Sequence, residues 1–126
     1  MITEFDLLEM LNNSAEIAKD MICDELHITV QDFTIRGCFE YHLDQLIMTI
    51  SNQIYDTFSG YNFKNDTEIA EKVLTDVKNK YNAFLAVMRN ERIFAPGCYT
   101  RDRLYRRTKK YCDLVMETFI QRLQGR

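Results

Sequence analysis

Residues 39–58 read Phe-Glu-Tyr-His-Leu-Asp-Gln-Leu-Ile-Met-Thr-Ile-Ser-Asn-Gln-Ile-Tyr-Asp-Thr-Phe. Phe39, Leu43, Leu46, Ile50 and Ile54 recur at intervals of three and four, which places them on one face of an α-helix and does not fit the alternation of a strand. Ile47, Met48 and Phe58 widen that face until the helix is apolar around most of its girth. Such a helix is either central in a bundle or the seam of a homodimer. Ser59-Gly60 ends it.

The same spacing extends in both directions. Upstream, Leu8, Leu11, Ala15, Ala18 and Ile22 form a stripe, and Thr3 with Asp6 three residues later offers an N-terminal cap, so a first helix is expected from about Thr3 to about Leu26. Between the two helices, Thr29 with Asp32 reads as a cap for an early start of the second. The β-branched run Ile28, Thr29, Val30 and the glycine at Gly37 instead favour an extended connector near residues 28–36. Downstream, Asn65 with Glu68 is a capping-box pattern for a third helix, with Ala70, Val73, Val77, Tyr81, Phe84 and Met88 facing inward. Phe58, Tyr61 and Phe63 in the intervening loop are read as a cap on the end of the core. Ala95-Pro96-Gly97 is a turn, and Thr100 caps a last helix whose stripe is Tyr105, Cys112, Met116, Phe119 and Leu123. Four helices with short connections predict an all-α, antiparallel four-helix bundle, and 126 residues with no internal repeat predict one domain spanning residues 1–126.

Composition narrows the class of protein. Charged residues are 28% and apolar ones 46%, an ordinary globular balance. The longest uncharged stretch in the middle of the chain, Gln45–Tyr55, has 11 residues, too few to span a bilayer. The acidic start, Met1-Ile2-Thr3-Glu4-Phe5-Asp6, lacks the basic opening of a secretory signal, so a soluble, cytoplasmic protein with reduced cysteines is expected.

Charge is divided unevenly along the chain. Residues 1–75 carry 14 Asp and Glu against 4 Lys and Arg, and residues 76–126 carry 5 against 12, so a part near −10 is joined to a part near +7. The cations concentrate in Arg101-Asp102-Arg103-Leu104-Tyr105-Arg106-Arg107-Thr108-Lys109-Lys110, directly after Tyr99. Arg103, Arg106, Arg107 and Lys110 share one helix face, in the first turns, where the positive end of the helix dipole disfavours cations by roughly 0.3 to 1 kcal/mol each. Helix stability therefore does not account for them, and a partner must. An internal partner is available in Asp6, Glu9, Glu16, Asp20 and Asp24, an acidic stripe on the first helix that could lace it to the last. An external one is another protein, contacted through Tyr99, Arg101, Arg103, Tyr105, Arg106, Arg107 and Lys110, with Phe94 and Pro96 extending the face. Nucleic acid is the alternative ligand of the same stripe, because arginines bind phosphates and tyrosines stack on bases.

The remaining chemistry-bearing residues are sparse. Each of the two histidines lies four residues after a cysteine, Cys23 with His27 and Cys38 with His42, and two such pairs offer the two sulfurs and two nitrogens of a tetrahedral zinc site. The pairs converge only if residues 28–36 are extended and the second helix starts near Arg36. Arg36 and His42 also stand at an Arg-x5-His spacing that resembles the Arg-x4–6-His motif of HEPN-type ribonucleases, small helical bundles. In that family arginine and histidine assist attack by a ribose 2′-hydroxyl across a dimer. The resemblance implies a ribonuclease-like activity, with the departure that the motif lies early in this chain and is followed by Gly37. There is no nucleotide-binding loop and no catalytic triad. The sequence thus predicts a small non-enzymatic helical protein, without a cofactor, that binds another macromolecule in a regulatory, inhibitory or adaptor role.

Overall fold

A computed structural model describes the backbone of residues 1–29, 33–90 and 101–125, and the side chains of residues 1–21, 40–90 and 105–125. The helices are α1 (Glu4–Thr29), α2 (Phe33–Ser59), α3 (Asp66–Asn90) and α4 (Arg101–Gln124). The fold is all-α, a four-helix bundle. α1 packs on α2 and α4, and α3 packs on α2 and, less extensively, on α4. α2 also reaches α4 across the diagonal, so it touches every other helix, as its broad apolar girth demands.

The caps predicted at Thr3 and Asn65 form. Thr3 Oγ1 accepts from the Asp6 N–H at 3.1 Å while Asp6 Oδ2 accepts from the Thr3 N–H at 2.9 Å, which satisfies two donors that an uncapped helix start leaves open. At α3, Asn65 Oδ1 accepts from the Glu68 N–H at 2.9 Å, and Glu68 Oε2 reaches back to the Lys64 N–H at 2.9 Å. The Ile2 N–H donates to Asp66 Oδ1 at 2.6 Å, pinning the start of the chain to the start of α3 at the same end of the bundle.

Of the residues expected to form an extended connector, 28–29 and 33–36 are helical, and 30–32 lie outside the described residues. Ile28 and Thr29 continue α1, and α2 already begins at Phe33. β-Branched residues lower helix propensity by only a few tenths of a kcal/mol each, and packing overrides so small a preference. The turn Ala95-Pro96-Gly97 and the cap at Thr100 lie outside the described residues.

One contiguous core fills the bundle. It is built from Leu7, Leu11, Ala18, Leu43, Leu46, Ile50, Ile54, Ile69, Val73, Val77, Met88, Cys112, Val115 and Phe119, with neighbours at each end. In α1 the core line runs through Leu7 and Met10, with Leu8 at its edge. Phe58 and Phe63 close one end, their rings 5.2 Å apart, and both pack on the core. Ile47 also packs inward, whereas Met48 is 52% exposed. Among the described residues no helix is long and apolar enough to cross a membrane.

The difference between those neighbours is measurable. Leu46→Ala, at a fully buried position, should lower the urea-derived unfolding free energy by about 2 to 5 kcal/mol. Met48→Ala should change it by less than about 0.5 kcal/mol.

Candidate macromolecule-binding face

The outward direction of each α4 side chain follows from what the helix buries. Thr108, Tyr111, Cys112, Val115, Met116, Phe119 and Leu123 are buried. The opposite face then carries Arg106, Lys110, Glu117 and Gln121, all exposed. Of the predicted contact residues, Arg106 and Lys110 are therefore on one solvent face, with Arg107 half-buried at its edge. Arg101 and Arg103 lie in the first turn of α4, with side chains outside the described residues, and Tyr99 lies outside them altogether.

The tyrosines take a different place from the arginines. Tyr105 is half-buried, with the Arg89 guanidinium of α3 5.8 Å from its ring centroid. Tyr111 is buried, and the Lys110 ammonium sits 5.8 Å from its ring. Neither ring stands open beside the cations. Apolar contact is offered instead by Met21, a residue the sequence reading left unremarked. Met21, 49% exposed on α1, borders a groove of about 460 Å³ that is otherwise lined by Arg106, Lys109, Lys110, Tyr111, Asp113, Leu114 and Glu117 of α4.

A polar knot stiffens one wall of this groove. Lys109 Nζ pairs with Asp113 Oδ2 at 2.7 Å, one turn along the helix, and Asp113 Oδ1 accepts from the Tyr81 hydroxyl of α3. The hydrogen bond to Asp113 raises the Lys109 ammonium above its ordinary value, so it stays charged. Burial first, and then the bond to Asp113, push the Tyr81 hydroxyl well above the usual phenol range. Lys109 is thereby committed to Asp113. Among the described residues neither Arg106 nor Lys110 makes an ion pair.

The acidic stripe of α1 was the internal candidate for those cations. Glu9, Glu16 and Asp20 are exposed. α1 does pack on α4, but the ion pair seen from α1 runs the other way, from Lys19 Nζ to Asp44 Oδ1 of α2 at 2.8 Å. The Asp44 bond, with further attraction from Glu16 and Glu40, raises the Lys19 pKa.

The two histidines occupy different heights. His27 is two residues before the end of α1 and His42 nine residues after the start of α2, or roughly 3 Å and 13 Å from their helix ends at 1.5 Å per residue. The side chains of Cys23, His27, Arg36 and Cys38 lie outside the described residues. His42 is 2% exposed and borders a cleft between α2 and α3, together with Lys80, Phe84, Val87 and Met88. Among the described residues no three His, Cys, Asp or Glu side chains converge as a metal-holding group. The buried Cys112 thiol is pushed up to about 12, chiefly by burial and then by the Asp113 charge, so it is protonated at neutral pH and a poor nucleophile.

Compared with protein-family models, with curated proteins and with solved structures, the chain matches none at a significant level.

The thiol makes a pH prediction. Its folded value near 12 lies above the unfolded value of 9.0. Between those values the unfolded chain holds fewer protons than the folded one, so alkali favours unfolding. Stability that Cys112 contributes is fully present below pH 9 and is lost as pH rises toward 12. Thermal melts should show a falling midpoint above pH 9, with a shallower fall in Cys112→Ala.

Proposed function

We propose that this protein is a non-enzymatic interaction module that binds an acidic, partly apolar segment of another protein along the groove between α1 and α4. The observation that carries the reading is the pairing of Arg106 and Lys110, exposed and without an ion pair among the described residues, with exposed Met21 across the same groove. Both cations lie beyond the first turn of α4, which starts at Arg101, and their outward direction follows from the apolar face the helix buries. Carboxylates of a partner would pair with them, supply electrostatic steering and fix register, while Met21 and Leu114 would supply the apolar anchor.

Nucleic acid remains the competing ligand for the same cations. Base stacking requires open aromatic faces. Among the described tyrosines of this face, Tyr105 and Tyr111 are engaged by Arg89, by Lys110 and by the core and offer no open face to a base.

Affinity capture from a cell extract, with one half treated by nuclease, separates the readings. A discrete protein retained after nuclease, and lost in Arg106→Glu with Lys110→Glu, is the expected result. That double variant should keep the parental helicity and melting midpoint, because both side chains are exposed. Recovery of nucleic acid alone, with affinity falling steeply as salt rises, would overturn the protein-partner reading.

A further inference from the structure

A second cleft lies between α2 and α3, on a different side of the bundle from the α1–α4 groove. It encloses about 270 Å³. His42 and Met88, both buried, and Phe84, almost so, form its floor, and Gln45 and Thr49 are half-buried on its α2 wall. Its mouth is unusual for a surface in contact with water. Val87 is 60% exposed, Tyr41 is exposed beside the edge-on ring of His42 5.2 Å away, and Ala83 leaves the rim open. Large apolar side chains gathered at the opening of a concavity mark surface that a ligand would cover.

Charge selects among ligands. Lys80 stands exposed at the rim and is the one formally charged residue lining the cleft among the described residues. No ion pair of Lys80 is found among the described residues. The carboxylates on the neighbouring stretch of α2 act elsewhere: Asp44 binds Lys19 of α1 at 2.8 Å, and Glu40 adds to the attraction on that same ammonium. The cleft therefore combines an apolar floor, an amide, a hydroxyl and an imidazole on its walls, and a positive rim.

We propose that this cleft binds a small organic anion with an apolar body, of which a medium-chain carboxylate is the simplest member. Its carboxylate is received by the Lys80 ammonium, with Gln45 and Thr49 in reach of the same end, and its hydrocarbon chain lies on Phe84, Val87 and Met88.

The test is a titration of the full chain, followed by amide chemical shifts, with octanoate, octylammonium and octanol as probes. Octanoate should shift the amides of Gln45, Thr49, Ala83, Phe84 and Val87, and should bind about tenfold more tightly than either of the other two. Lys80→Glu, an exposed substitution, should weaken octanoate by at least about tenfold while leaving the melting midpoint unchanged. Ala83→Phe, which fills the rim from the solvent side, should abolish the shifts in a folded protein. The proposal is overturned if octanoate shifts no cleft amide at millimolar concentration. It is equally overturned if octanol binds as tightly as octanoate and Lys80→Glu changes nothing.

Discussion

Burial of one face of α4 determines where the charge of this protein points. Cys112, Val115, Met116, Phe119 and Leu123 are almost completely withdrawn from water, and each such side chain contributes roughly 1.5 to 3 kcal/mol relative to exposure. A rotation of the helix that turned Arg106 or Lys110 toward the bundle would expose several of those groups at once. Electrostatic preferences of a few tenths of a kcal/mol do not compete with that. The hydrophobic stripe thus dictates the orientation, and the cations take the face that is left.

The consequence is a bundle with two electrical sides. α1 and α2 carry most of the acidic residues, and α4 carries the densest group of cations. α1 and α4 are neighbours, yet the polar contacts described for them hold α1 to α2 through Lys19–Asp44 and α4 to α3 through Asp113. The second of these joins the two helices of the less extensive α3–α4 seam, where a directional bond adds to a thinner apolar contact. Tyr81 and Lys109 both converge on one carboxylate, which leaves Arg106 and Lys110 as the outward cations beside Met21, with Glu117 on the same face.

Much of the fold was legible because it is local. The intervals of three and four around Leu46 and Phe119, and the caps at Thr3 and Asn65, involve residues within a turn or two of each other, and all of them appear in the structure. The start of the second helix was open between an early cap and an extended connector for the same reason: the connector rested on the local preference of residues such as Ile28 and Thr29, which the tertiary packing of long helices outweighs at residues 28–29 and 33–36. The basic face was legible as a spacing on one helix. Its apolar component was not, because Met21 joins it from α1, and periodicity says which face a residue occupies but not which helix stands opposite. Tyr105 shows the converse, being next in sequence to Arg106 but turned toward Arg89. The sequence likewise gives no sign that His42 of α2 shares a cleft with Lys80 of α3, 38 residues away.

The central claim, that Arg106 and Lys110 face outward and do not lace α4 to α1, is tested most directly by the salt dependence of unfolding. The free energy of urea unfolding should be measured at low salt and at an ionic strength near 1 M, where the screening length is about 3 Å. Arg106 and Lys110, one turn apart on the same face, repel each other, so the account predicts that replacing both with Gln leaves the change of stability with salt as it is in the parent. A fall in stability with salt that disappears in the double variant would show that these cations attract the acidic helix and hold the bundle together, and would contradict it.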